Sequence, residues 1–141
     1  DVASGNDSDN PDWNRFDTLF GARRWEYGPT GIYGAVGSRD IVSPEIRLTV
    51  KPVDNLTVMF AARTLSLASA DDGWREAGDT TGSGGDVGDQ VECRIRWDVQ
   101  PKSLRLEAGA AYFSGGTFRE TSTAGRPTDT NYFYFQTIWT F

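Results

Sequence analysis

Charged side chains recur at every second position in several segments of the sequence. Between Glu92 and Asp98, the alternate positions are Arg94 and Arg96. Alternate residues of an extended strand share one face, so this spacing concentrates guanidinium groups and carboxylates on one surface. Guanidinium groups bind carboxylates bidentately, and a row of them along a wet wall can pass an anionic chain from one to the next. The same residues could instead form cross-strand ion pairs that only stabilise the sheet. The set comprises six cations, Arg47, Lys51, Arg63, Arg94, Arg96 and Arg105, and three carboxylates, Glu92, Asp98 and Glu107.

Apolar residues fill the positions between these charges, which predicts strands. Short turns at 52–55 and 101–103 join two pairs of such runs into hairpins. We therefore predict an all-β, antiparallel fold with five clear strands and a candidate sixth between Tyr27 and Ile41. The runs cover residues 45–51, 56–63, 90–98, 104–113 and 131–141.

The remaining connections are long and rich in Gly, Asp, Ser and Thr. They cover about 1–40, 68–89 and 114–129, which is longer than the roughly 2–5 residues of ordinary hairpin loops. Short turns at one end and long loops at the other, on strands of about ten residues, are typical of outer-membrane β-barrels. A soluble sandwich, whose strands also alternate, is the competing interpretation.

Composition excludes several function classes. The 141 residues contain no His and one Cys, so Ser-His-Asp catalysis, His-ligated metals and an intramolecular disulfide all lack a required residue. The net charge of −6 and the absence of an isolated basic cluster argue against nucleic-acid binding. We predict no catalytic residue and no cofactor. The pair Glu92 and Glu107 leaves only glycan hydrolysis by two carboxylates as an enzymatic alternative.

An acidic segment near the start of the chain is a candidate metal site, and a second acidic cluster, formed by Asp71, Asp72, Glu76, Asp79, Asp86 and Asp89, is a similar candidate. Asp7, Asp9 and Asp12 are spaced like the first ligands of a calcium loop. The Gly at position six and the closing Glu of such a loop are missing. A solvated acidic loop is the alternative.

Aromatic residues gather near the strand ends, where the interfacial girdles of membrane barrels lie. The last run ends on Phe141, with Phe133, Phe135 and Trp139 on the same face. A final amphipathic strand that ends in Phe resembles the closing strand of bacterial outer-membrane barrels.

Four segments, in order, resemble the alginate export family of outer-membrane proteins. They are RFDTLFGARRWEYGPTGIYG (15–34), SPEIRL (43–48), DVGDQVE (86–92) and FYFQTIWTF (133–141). The resemblance implies that residues 1–141 form the C-terminal portion of a barrel domain in a bacterial outer membrane. The residues at 1–5 resemble the end of a family strand. Because five or six strands are fewer than the roughly eight of the smallest bacterial barrels, we expect a remaining barrel segment, an additional chain or further copies to complete it.

The resemblance also implies a function. Family barrels have an electropositive lumen that passes anionic polysaccharide, typically alginate, so we expect a porin or exporter for such polymers or for small anions, in contact with outer-membrane lipid. A non-conducting structural β-scaffold is the alternative. Arg23 and Arg24 lie in the family-like loop and either fold inward near the pore or remain on the surface. The expected pore-lining residues are Arg47, Lys51, Arg63, Glu92, Arg94, Arg96, Arg105 and Glu107.

Overall fold

The computed structural model describes residues 2–3, 40–69, 84–122 and 129–141. Within them the chain forms antiparallel strands and one short helix, α1 (Thr117–Thr121), so the predicted all-β architecture is confirmed. No helix in these ranges is long and apolar enough to cross a membrane. The strands are β1 (Val2–Ala3), β2 (Ile41–Val42), β3 (Glu45–Val53), β4 (Leu56–Leu67), β5 (Asp86–Gln100), β6 (Leu104–Gly115) and β7 (Thr130–Trp139).

All described strands belong to one sheet, in the order β1-β2-β4-β5-β6-β7, with β3 also paired to β4. β2 and β3 are consecutive pieces of one interrupted strand, because Ile41 pairs with Leu67 and Glu45 pairs with Arg63 along the same side of β4. The interruption contains Pro44, which has no N–H to donate. Of the candidate sixth strand, only the end at β2 lies within the described residues.

Both predicted hairpins are present. Val53 pairs with Leu56, so the first turn is shorter than predicted and consists of residues 54 and 55 alone. In the second turn the Ser103 N–H donates to the Gln100 carbonyl at 3.0 Å. Lys102 adopts a left-handed φ of 71° there, a conformation that costs a non-glycine residue about 1–2 kcal/mol.

The longer connections differ from the predicted loop bounds. β5 begins at Asp86, inside the predicted 68–89 loop, and β6 continues to Gly115, with α1 following inside the predicted 114–129 loop. The Gly-rich start of β5 shows no alternation, yet Gly88 pairs with both Leu65 and Gly115. Backbone hydrogen bonds form this part of the ladder without a side-chain pattern. Residues 4–39, 70–83 and 123–128 lie outside the described residues.

The sheet has two chemically distinct faces. The apolar face is exposed, with Ile46 at 81% and Phe133 at 76% of full exposure, whereas Arg63 on the opposite face is only 3% exposed. A soluble sheet buries its apolar face, so this arrangement is inverted. The apolar face carries Ile46, Leu48, Val50, Phe60, Val91, Ile95, Trp97, Tyr112, Phe133, Phe135 and Trp139. The charged face carries Glu45, Arg47, Lys51, Arg63, Glu92, Arg94, Arg96, Asp98, Arg105 and Glu107.

Candidate functional site

The strand register brings the predicted site residues together on the charged face. Arg96 lies directly opposite Glu107, and Asp98 lies opposite Arg105. On the other side of β5, Ala61 of β4 lies opposite Glu92. Small and apolar side chains of β4 therefore lie between the charged residues of β3 and those of β5 on this face. Eight of the thirteen predicted site residues, those expected to line the pore, therefore share one surface.

Arg63 is the centre of an ion-pair group at the end of the face nearest the long connections. Its guanidinium contacts the carboxylate of Glu45, which lies directly opposite on β3, and its Nη2 lies 3.8 Å from Glu92 Oε1. Glu45 Oε1 also lies 2.6 Å from Arg47 Nη2. Because Arg63 and Glu92 are both buried, these charges depend on one another for stabilisation.

A second group joins β5, β6 and β7. Arg96 donates from Nε and Nη2 to Glu107 Oε2, each at 3.0 Å. The Tyr134 hydroxyl donates to the other carboxylate oxygen, Oε1, at 2.8 Å. Both carboxylate oxygens of Glu107, which is only 5% exposed, therefore accept hydrogen bonds from protein donors.

A third pair lies at the short-turn end of the face. Arg105 Nε donates to Asp98 Oδ1 at 2.5 Å. Both side chains are partly exposed, and solvent-exposed ion pairs contribute only about 0–1 kcal/mol to stability.

Arg94 differs from these arginines because no carboxylate lies directly opposite it on either neighbouring strand. Its direct neighbours across the two adjoining strands are Met59 and Gly109. Within the described residues, Arg94 forms no ion pair or hydrogen bond through its side chain. A Cβ on Gly109 would overlap the ring of Tyr134, so the glycine makes room for that ring next to Arg94. Tyr134 also stacks with Tyr132, with ring centroids 5.9 Å apart.

Sequence reasoning missed three participants on this face. Glu45 is a fourth carboxylate, so the face has two more cations than carboxylates and not three more. Its position two residues before Arg47 was a usable signal. Tyr134 and Gly109 were also missed, because their roles depend on a contact between β6 and β7 that strand alternation does not reveal.

The other candidate residues have different outcomes. Lys51 is exposed in the register shift between Val50 and Val53 of β3. The loop arginines Arg23 and Arg24 and the metal candidates Asp7, Asp9 and Asp12 lie outside the described residues. Within the part of the chain that the structure describes, no group of three or more His, Cys, Asp or Glu residues could hold a metal ion.

Comparison with family models gives one finding that decides the family. A model described as alginate export matches residues 1–133. The chain belongs to the alginate export family. The resemblance stated from the sequence is thus confirmed. Comparisons with curated proteins and with solved structures gave no match.

Membership of the alginate export family gives the sheet its larger context. Family members are outer-membrane β-barrels, and the family exports polysaccharide across the outer membrane. The described antiparallel sheet agrees with that fold, so the predicted fold class is confirmed. The family is a transport family, in agreement with the prediction that the chain is not an enzyme.

Proposed function

We propose that the charged face lines the lumen of an outer-membrane barrel and passes an anionic polysaccharide, alginate-like, or smaller anions by passive diffusion. The observation that carries this proposal is the inversion of the sheet, in which the apolar face is exposed whereas Arg63, Glu92 and Glu107 of the charged face are buried. A barrel wall in lipid requires this distribution.

The charge balance of this face supports selectivity for anions. Its cations outnumber its carboxylates although the whole chain has a net charge of −6. Arg94 is the strongest candidate for contact with a passing anion, because within the described residues it forms no ion pair, although Glu92 and Glu107 of the same face still stabilise its charge. A conducting site must attract its ion and still release it. A single guanidinium that contacts a uronate unit meets this requirement better than a site that surrounds the anion with several cations.

The partners in this proposal follow from three surfaces of the sheet: the apolar face, the charged face and the unpaired strand edges. Acyl chains of outer-membrane lipid contact the apolar face, and the anionic polysaccharide or small anions contact the charged face. The outer sides of β3 and β7 have no strand partner among the described residues apart from the short β1–β2 pairing. A remaining barrel segment or an additional chain would pair with these edges. No nucleic acid and no cofactor take part.

Charge reversal on the charged face tests the proposal. The assembled barrel that contains this chain is reconstituted in a planar bilayer, and its reversal potential is measured in a salt gradient. In the variant with Arg94→Glu, Arg96→Glu and Arg105→Glu, we expect a shift toward cation selectivity, because the surplus of positive charge becomes negative. Unchanged selectivity would contradict the proposal.

A matched single-residue control separates local from global charge. Arg94→Glu and Lys102→Glu change the net charge equally, but Lys102 lies in the exposed turn after β5. We expect a shift in selectivity for Arg94→Glu and a much smaller one for Lys102→Glu. Equal shifts would mean that the charged face does not line the passage.

A non-conducting structural scaffold is the second candidate function. The observation that favours it is the pairing of Arg63, Arg96 and Arg105 with carboxylates. A scaffold would show no channel activity in the bilayer, and its arginine variants would change stability alone.

A further inference from the structure

An apolar cluster lies on the charged side of the sheet, at the end where the long connections emerge. Leu65 follows Arg63 at the next position of β4 on this side, and Phe113 follows Ala111 in the same way on β6. The side chains of the cluster are buried against one another. Its members are Ile41, Leu65, Val87, Phe113 and Phe118.

A bulge and two glycines let the chain after β6 pack onto this end of the sheet. Val87 is the extra residue in the register between β4 and β5, and it turns toward the charged side. Gly88 has a φ of 136°, and a Cβ there would overlap the Ser114 carbonyl oxygen. A Cβ on Gly116 would crowd the carboxylate of Asp86. The two segments thus approach so closely that only glycine fits at 88, and a side chain at 116 would require Asp86 to move.

The helix α1 is anchored in the apolar cluster. Phe118 is 2% exposed, and the Arg119 guanidinium lies 4.8 Å from the centroid of the Phe113 ring, in a cation–π contact. At the start of the helix the Gly116 N–H donates to the Val87 carbonyl at 2.9 Å. α1 is therefore packed against β5 and β6 on the charged side.

The far end of the same connection is also attached to β6. The Asp129 carboxylate accepts hydrogen bonds from the Gly115 N–H at 3.2 Å and from the Tyr112 hydroxyl at 3.3 Å. Described residues at the start and at the end of this connection are therefore both attached to the rim of the sheet. Glu120 of α1 is exposed, on the side of the helix away from the cluster.

Building on the proposed function, we infer that α1 is a fixed constriction inside the long-loop mouth and that it limits the cross-section of the polymer that passes. A helix with its side chains is about 10–12 Å across, so its position on the charged side of the sheet narrows the passage at this level. Linear, unbranched anionic chains are the class of substrate that such a mouth admits.

Truncation of the anchor tests the constriction. The assembled barrel that contains this chain is reconstituted in a planar bilayer with Phe118→Ala, and Phe133→Ala on the exposed apolar face is the matched control. Because conductance depends on the narrowest part of a pore, we expect Phe118→Ala to raise the single-channel conductance about twofold. The anion selectivity of the Phe118→Ala variant should remain that of the wild type. Phe133→Ala should leave the conductance unchanged.

A second variant tests the same inference if Phe118→Ala fails to assemble. In a Cys93→Ser background, Glu120→Cys is labelled with a bulky thiol reagent, and Asp54→Cys in the first hairpin turn is the control. We expect the label at 120 to reduce the conductance and the label at 54 to leave it unchanged.

The outcomes distinguish this inference from the proposed function. If both 118 and 120 variants conduct like the wild type while the triple arginine variant shifts selectivity, the constriction is overturned and the conducting lumen stands. If the wild type itself does not conduct, the proposed function is overturned, and the constriction with it.

Discussion

Arg63 and Arg94 lie on the same face of the sheet, but their neighbouring residues differ. Arg63 is buried and contacts two carboxylates, Glu45 and Glu92. Arg94 lies on the neighbouring strand beside Met59 and Gly109, and no described carboxylate pairs with it. The comparison teaches that cations on a wall are not equivalent, because some stabilise the sheet and others remain available to a ligand.

The largest expected effect comes from breaking the Arg63 group. Arg63→Met leaves the buried Glu92 without its ion-pair partner and Glu45 with Arg47 alone, and removal of one member of a buried ion pair costs about 3–5 kcal/mol. We expect this loss in the free energy of unfolding, measured by denaturant titration of the barrel in lipid vesicles. The combined variant Arg63→Met, Glu45→Gln and Glu92→Gln should recover most of the stability. No loss in the single variant would show that Arg63 is not structural.

A smaller effect is expected when an arginine is placed on the opposite face. Ile95 follows Arg94 directly and is exposed on the apolar face. Ile95→Arg should cost about 2–4 kcal/mol in the same titration, because a guanidinium would lie in the hydrocarbon region. Ile95→Leu is the control. A soluble sheet would tolerate the arginine with little change.

Filling the space beside Arg94 should have an intermediate effect. Gly109→Ala places a methyl group into the ring of Tyr134, and such overpacking costs about 1–3 kcal/mol. The shift of the ring would also weaken the hydrogen bond from Tyr134 to Glu107. Unfolding free energies of Gly109→Ala alone and together with Tyr134→Ala provide the measurement. The loss should be smaller in the Tyr134→Ala background, and an equal loss would contradict the packing explanation.

The smallest expected change in stability is at Arg94 itself. Because no carboxylate pairs with it within the described residues, Arg94→Met should change the unfolding free energy by less than about 0.5 kcal/mol, as for surface substitutions away from special features. The anion selectivity of the barrel that carries Arg94→Met, measured in the planar bilayer, should nevertheless fall. A large loss of stability would place Arg94 in the same structural class as Arg63.

Much of the fold could be predicted from the sequence because strand alternation is local. The period of two in the segment from Glu92 to Asp98 assigns each side chain to a face without knowledge of any neighbour. The turns at 52–55 and 101–103 were equally visible, although the first proved to be shorter. The start of β5 was not predicted, because its strand forms through backbone pairing of Gly88 and its neighbours.

The candidate site was predictable only as a set of residues. The sequence by itself determined the two faces, the excess of cations on one of them and the family resemblance, since all three depend on residue type and local spacing. Only the tertiary structure decided which cations are neutralised, because an ion pair between strands depends on the register that places Arg63 opposite Glu45 and Arg94 opposite Gly109. It also decided the position of α1 on the charged side of the sheet, since the burial of Phe118 depends on a cluster whose other residues come from β2, β4, β5 and β6.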